Sequence, residues 1–332
     1  MGFLKQLFAP KAEAVGVGVR PPTQLRIFTN NSCQLQCQMC YGHSPTLKAN
    51  FWTKTRDPMG GIMTLETYQF ILEKIPDTLT DITFTGWGEP FLNPDLFEMI
   101  RLTHDTLPEA RTTVITNGLM LTDRLPELLT APPTRLIVSI NGHSPESFQT
   151  MTGQDPGLFN TLIGQVTDLL AHRPPGLSIW VSSLVAVDTV PDLPKLIDWA
   201  HRLGVDGLQL QNYLSPDPQQ PSPRSLTERE AGLLGYLKAQ QHPLPVTFPV
   251  LLSAKTPTNR LCSAPYTTLG VDADCNVTGC PMQWIADGKM GKIWDNDYWE
   301  NDRLEWLRSV FQPKSQQEIP RPCQHCTYNS AP

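Results

Sequence analysis

From residue 24 to about residue 240 the chain alternates short β-prone runs with amphipathic ones, and this repetition constrains the fold more than any other feature. Strand-like segments are expected over Gln24–Thr29, Asp81–Thr85, Thr112–Thr116, Arg135–Ile140, Leu177–Val185 and Gly207–Gln211. Helical spacing falls between them, over Leu65–Ile75 with Thr64 as its cap, Asp95–Thr106, Leu121–Leu129, Phe159–Ala171 and Leu193–Leu203, with a last helix over Thr227–Gln241. Repeated β-then-α units return each strand parallel to the one before it, with crossover helices covering the sheet. Six such units fit, too few for an eight-unit barrel, so the expected class is α/β with a partial (β/α)6 barrel over residues 24–245. Ligand sites in such folds lie at the carboxyl ends of the strands. The unusual residues fall there: Cys33, Cys37 and Cys40 after the first strand, Gly86 to Glu89 after the second, Asn117 after the third, and Ser139 and Asn141 at the fourth.

Past residue 245 the pattern changes. Tyr266–Val271 and Asn276–Thr278 read as an antiparallel hairpin around Asp272-Ala273-Asp274, followed by a helix over about Tyr298–Phe311 and a tail holding Cys323 and Cys326. Residues 246–332 are therefore expected to form a small α+β domain, and residues 1–23 a lead-in. The lead-in leaves no room for a separate peptide-recognition domain ahead of the first strand. Net charge is −6 and no basic patch stands out, which argues against a nucleic-acid partner. No apolar run is long enough to span a bilayer, and Met1–Pro10 lacks a signal-peptide core. Gln6 stands where a myristoylation motif wants Ser or Thr. The expectation is a cytoplasmic chain with no membrane partner.

The eight cysteines, at 33, 37, 40, 262, 275, 280, 323 and 326, form two separated groups. In a chain of this size without a secretory signal, clustered cysteines read as metal or redox chemistry rather than a disulfide framework. Cys33-x3-Cys37-x2-Cys40 puts three thiolates in one short loop. Three thiolates hold three irons of a [4Fe–4S] cube and leave the fourth iron open to an exchangeable ligand. A structural zinc wants a fourth protein ligand, and only His43 lies near enough in sequence to supply one.

At these residues the chain resembles the radical S-adenosylmethionine (SAM) superfamily, whose signature is CxxxCxxC after the first strand. Met39 stands where relatives often carry an aromatic whose backbone contacts adenine. Gly86-Trp87-Gly88-Glu89-Pro90 is similar to the family's Gly-Gly-Glu stretch, which binds the amino group of SAM. The two glycines let backbone approach a ligand, and Glu89 can pair with an ammonium. Ser139 and Asn141 resemble the strand-four polar residues that contact ribose or carboxylate in relatives; the alternative is a polar strand end and an Asn-Gly turn. Asn117 and Gln211 are further SAM-pocket candidates, Gln211 with a helix-facing alternative.

The later cysteines resemble the SPASM/Twitch extension of the same superfamily, a small C-terminal auxiliary iron–sulfur domain. The matching pieces are Cys262, the hairpin, Cys280, Met290–Ile293 and Cys323-x2-Cys326. The resemblance implies that Cys262, Cys280, Cys323 and Cys326 ligate one auxiliary [4Fe–4S] cluster; by ligand count alone a structural zinc suits them equally. Cys275 is left over, where relatives usually have glycine. It is either a turn cysteine without a role or a thiol that gives a hydrogen atom to a substrate radical, as in relatives that epimerise. Trp284, Trp294, Trp299 and Trp306 read as core of the small domain, and Asp272 and Asp274 as turn residues.

The family's chemistry is reductive cleavage of SAM to a 5′-deoxyadenosyl radical, which takes a hydrogen atom from the substrate. The resemblance implies an electron donor such as flavodoxin or ferredoxin. It also implies a peptide or small-molecule substrate: a natural-product precursor, either a ribosomal peptide or a sugar or aminocyclitol, that is oxidised or epimerised. Cofactor biosynthesis or enzyme maturation is the alternative. A non-catalytic iron–sulfur or zinc protein is the alternative of another class, and it predicts no SAM cleavage.

Overall fold

Alternate residues of β1 (Gln24–Phe28) and β2 (Asp81–Thr85) show why these segments are strands: Leu25, Ile27, Ile82 and Phe84 are fully buried, and the residues between them are half-buried. In the computed structural model, which describes residues 19–46, 61–217, 220–253, 262–281 and 290–330, seven more strands are present. They are β3 (Arg111–Thr116), β4 (Arg135–Ser139), β5 (Ser178–Val185), β6 (Gly207–Asn212), β7 (Val246–Thr247), β8 (Thr268–Asp272) and β9 (Val277–Thr278). The sheet order is β7-β6-β5-β4-β3-β2-β1-β8-β9. Every pairing is parallel except β8 with β9. The edges β7 and β9 do not pair with each other, so the barrel stays open.

The helices on the outer face are α1 (Leu65–Lys74), α2 (Leu96–Thr106), α3 (Leu125–Thr130), α4 (Pro145–Thr152), α5 (Gly157–Ala171), α6 (Leu193–Leu203) and α7 (Ala231–Lys238). Thr64 caps α1 by accepting from the Thr67 amide at 3.1 Å, as its sequence suggests. Tyr68 of α1 stacks on Phe84 and shares a 2.6 Å hydrogen bond with Thr103 of α2, so a buried hydroxyl is satisfied inside the sheet–helix core. Each fully buried Leu, Ile or Phe here contributes about 2 kcal/mol. Two helical expectations need correction. α3 starts at Leu125 rather than Leu121, because Pro126 suits a first turn and residues 119–124 form turns. Helix α4 is an addition to the expected set; Ser144 and Ser147 cap it reciprocally and Pro145 opens it.

The expected hairpin is present, with Gly270 opposite Thr278 and Val271 opposite Val277. Its first strand also pairs in parallel with β1 over all five residues, Gln24 with Thr268 through Phe28 with Asp272. The sheet therefore runs across the expected boundary near residue 245 at both edges, through β7 and through β8. Four short helices complete the described C-terminal part: α8 (Ala264–Thr267), α9 (Asp302–Val310), α10 (Arg321–Gln324) and α11 (Thr327–Ser330). Trp299 is buried against the Arg308 guanidinium at 4.4 Å, whereas Trp294 and Trp306 are about half exposed and are not core. Trp284 and the lead-in before residue 19 lie outside the described residues. Among the described residues, no helix is long and apolar enough to cross a membrane.

Candidate functional site

The first cysteine loop leaves β1 through Asn30, whose side chain ties that loop to the one after β2. Asn30 Oδ1 accepts from the Ser32 amide at 2.9 Å, and Nδ2 donates to the Glu89 carbonyl at 2.8 Å. The Gly86–Glu89 loop runs directly beside it: the Gly88 amide donates to Asn30 O at 3.2 Å and the Glu89 amide to Ser32 O at 2.7 Å. A Cβ on Gly88 would overlap both Asn30 Oδ1 and the Ser32 backbone. The glycine requirement at 88 thus comes from two loops meeting backbone to backbone, not only from room for a ligand.

Cys33, Cys37 and Cys40 are brought together. Burial, then the neighbouring thiols of Cys40 and Cys33, push the Cys37 thiol up to about 12. Burial raises Cys33 as well, against the Leu35 amide, which donates to its sulfur at 3.4 Å. The Gly42 and His43 amides both donate to Cys40 Sγ at 3.3 Å. The loop is anchored from outside by Gln38, whose amide donates to Thr152 O at 2.8 Å and whose side chain donates to Thr150 O. Met39 packs with Leu184 against Met151, Ala186 and Tyr213.

Glu89 is 2 % exposed, and its carboxylate already has three donors. Thr116 Oγ1 donates at 2.6 Å and the Phe91 amide at 3.0 Å to Oε1, and the Asn117 amide donates at 2.7 Å to Oε2. Burial raises its pKa despite these bonds. The residue expected to receive an ammonium therefore also ties the end of β3 to the loop after β2. Asn117 reaches the cysteine loop, with Nδ2 3.7 Å from Cys33 Sγ. Ser139 and Ser182 share a 3.1 Å hydroxyl contact across β4 and β5. Asn141 has φ +56° and accepts from the Leu184 amide at 2.9 Å, a structural task that accounts for its presence at the turn. Gln211 is exposed at the end of β6, while its neighbour Asn212 turns inward to bind the Leu226 and Val250 carbonyls.

Cys262, Cys280, Cys323 and Cys326 line one small pocket, together with Pro265, Leu307 and Phe311. Burial and the neighbouring thiols raise all three of Cys262, Cys323 and Cys326, the last to about 12. Neutral thiols facing an apolar hollow suit a guest whose positive irons draw off the protons. Among the described residues no three His, Cys, Asp or Glu side chains converge as ligands of one metal ion. Four thiols lining one apolar pocket fit a cluster by their number and chemistry, and by ligand count they fit a zinc ion as well.

Cys275 sits in the turn of the β8–β9 hairpin. It is 7 % exposed within the main core, its charged neighbours are Asp272, Lys292 and Asp274, and its amide closes the hairpin turn on Asp272 O at 2.9 Å. Its φ of +61° explains why glycine suits the position. Asn30 joins the site without being marked in the sequence; an Asn two residues before Ser32 was the available signal.

An open parallel barrel with three thiols on the loop after β1 defines the class. Residues 27–173 match the family model of the radical SAM superfamily. The AdoMet-dependent heme synthase of Methanosarcina barkeri is 28 % identical over 173 residues, 52 % of this chain and 45 % of that protein. The GTP 3',8-cyclase of Sulfurimonas denitrificans is 32 % identical over 148 residues, 44 % of this chain and 43 % of that protein. The matched segment thus spans less than half of each of these relatives. SuiB of Streptococcus suis bound to S-adenosylmethionine superposes with a TM-score of 0.68 at 14 % identity, covering 93 % of this chain and 71 % of that one. SuiB has also been solved bound to precursor peptide SuiA. For anSMEcpe with bound AdoMet the TM-score is 0.64 at 17 % identity, covering 93 % and 85 %. These two structures share the fold.

Proposed function

We propose that this protein is a radical SAM enzyme that removes a hydrogen atom from a natural-product precursor, a ribosomal peptide or a sugar or aminocyclitol, giving oxidation or epimerisation. The observation that carries the chemistry is the meeting of two loops: the three-thiol loop of Cys33, Cys37 and Cys40 lies against Gly86–Glu89 through Asn30 and Ser32. A [4Fe–4S] cluster with SAM supplies, when bound, one-electron cleavage to a 5′-deoxyadenosyl radical. The chain's own work is positioning. Cys33, Cys37 and Cys40 hold the cluster, Glu89 and the Gly86–Gly88 backbone receive the amino end of SAM, and Asn117, Ser139, Asn141 and Gln211 lie along the strand ends where the rest of SAM or the substrate is held. Cys262, Cys280, Cys323 and Cys326 hold a second cluster. Fold likeness to SuiB and anSMEcpe supports a peptide substrate.

The curated relatives favour a second reading, cofactor biosynthesis, since a heme synthase and a GTP 3',8-cyclase match the chain more closely in sequence. Incubating the reduced, reconstituted enzyme with SAM tests the shared chemistry: 5′-deoxyadenosine should form, and Glu89→Ala should lower its rate at least tenfold, by about 1.4 kcal/mol or more. No SAM cleavage by the wild type, and no change with Glu89→Ala, would leave only a non-catalytic metal protein.

Oxidation and epimerisation separate at Cys275. If its thiol returns a hydrogen atom, Cys275→Ala keeps making 5′-deoxyadenosine but loses product, and solvent deuterium enters one product carbon in the wild type. If the thiol has no role, Cys275→Ala turns over normally. Cys275→Gly is then expected to raise stability by up to about 1 kcal/mol in denaturant titration, because glycine relieves the left-handed turn.

A further inference from the structure

Tyr41 follows Cys40 directly, and Trp87 stands between Gly86 and Gly88. Their rings meet edge to face, with centroids 6.5 Å apart and planes at 86°. Both pack against Leu214, Leu252 and Cys326. One aromatic residue from each of the two loops assigned to SAM therefore packs against a cluster that includes one cysteine of the C-terminal set. Leu214 comes from beyond β6 and Leu252 from beyond β7, so segments well separated in sequence build this patch with Tyr41, Trp87 and Cys326. Cys326 is 6 % exposed and sits between two helices of one turn each, α10 and α11.

We propose that Tyr41 and Trp87 are positioning residues that couple the C-terminal four-cysteine site to SAM binding. The inference rests on the proposed function, in which Cys262, Cys280, Cys323 and Cys326 hold a cluster. Around Cys326 the Asn329 amide donates to Cys326 O at 3.1 Å and Asn329 Nδ2 to Cys323 O at 3.2 Å, both local bonds, and a guest bound by all four thiols ties this stretch to Cys262 and Cys280 as well. Close-packed side chains pass displacement on rather than absorb it. The seat of Cys326 then sets how Tyr41 and Trp87 lean, and with them the angle between the Cys33–Cys40 loop and the Gly86–Glu89 loop. Coupling of this kind is reciprocal, so SAM also tightens retention of the C-terminal cluster.

The test uses the full chain, anaerobically reconstituted, as wild type, Tyr41→Leu, Tyr41→Phe, Cys323→Ala/Cys326→Ala, and Tyr41→Leu combined with the cysteine pair. Three quantities are read: iron content, the equilibrium Kd for SAM, and the change that SAM makes in the electron paramagnetic resonance spectrum of the reduced first cluster. Tyr41→Leu should keep the wild-type iron content and bind SAM about tenfold more weakly, with a smaller spectral change, and Tyr41→Phe should restore both. Losing the cysteine pair should weaken SAM similarly, and the combined variant should be little worse than either alone. Wild-type SAM affinity in Tyr41→Leu, or losses that multiply in the combined variant, overturns the coupling. If Tyr41→Leu does not accumulate, Trp87→Phe carries the same comparison in the same direction, and wild-type affinity there is equally fatal. A wild type with only about four irons removes the second-cluster reading itself; about eight irons with unchanged SAM affinity in the variants removes the coupling alone.

Discussion

Wild-type protein reconstituted without oxygen is expected to hold about eight iron atoms per chain, and Cys323→Ala/Cys326→Ala about four. The expectation comes from two separate thiol groups. Three thiols meet beside Gly86–Glu89, and four others line one apolar cavity. Removing two of four ligands leaves too few to hold a cube, while the three thiols of the first loop remain, so 5′-deoxyadenosine formation persists in the variant at saturating SAM. About four irons in both proteins would make the C-terminal site zinc or a bare cavity, and zinc analysis on the same samples separates those two. The pKa directions agree with a site that needs its guest. Burial and the neighbouring thiols hold Cys262, Cys323 and Cys326 well above the usual thiol value, so without the irons these side chains stay protonated.

Gly88→Ala is expected to be the most damaging single-methyl change in the molecule. Its Cβ would overlap the Ser32 backbone and Asn30 Oδ1, an atom held in place by the Ser32 amide and, through Nδ2, by the Glu89 carbonyl. The loops have to part, at about 3 kcal/mol, and two hydrogen bonds go with them: Gly88 N to Asn30 O and Glu89 N to Ser32 O. Because Cys33 follows Ser32 directly, the variant should lose stability and first-cluster iron together. Gly86→Ala is the internal control. Its Cβ would meet only Asn30 O, at 2.9 Å, so a smaller loss is expected. Denaturant titration of the iron-free proteins measures the stability term, and iron assay after reconstitution measures the other. Equal, small effects at 86 and 88 would mean that the loop pairing is not what demands glycine.

Glu89 shows why part of the site was visible in advance and part was not. Its place after β2, one unit beyond the cysteine loop, follows from the βα repeat, and that marked it for SAM. Its bonds to Thr116 and Asn117 were not visible, because they join ends of β2 and β3 that meet only once the sheet forms. Asn141 is a similar case: the Asn-Gly pair announced a turn, but the contact to the Leu184 amide depends on how β4 lies on β5. Cys275 could be singled out as the odd cysteine, yet only the fold shows it buried beside Asp272 in the hairpin turn.

The six βα units, the three-thiol loop, the glycine loop after β2 and the C-terminal hairpin were all legible in the amino-acid order, because period-2 and period-3.6 patterning and cysteine spacing are local properties. Tertiary structure alone decided that β8 joins the sheet beside β1, that Cys262 and Cys280 share a cavity with Cys323 and Cys326, and that Tyr41 and Trp87 pack against a cluster that includes Cys326. Those contacts join segments tens to hundreds of residues apart. Nothing in the neighbouring sequence records them, because each depends on which surfaces remain to be covered after the local elements have formed.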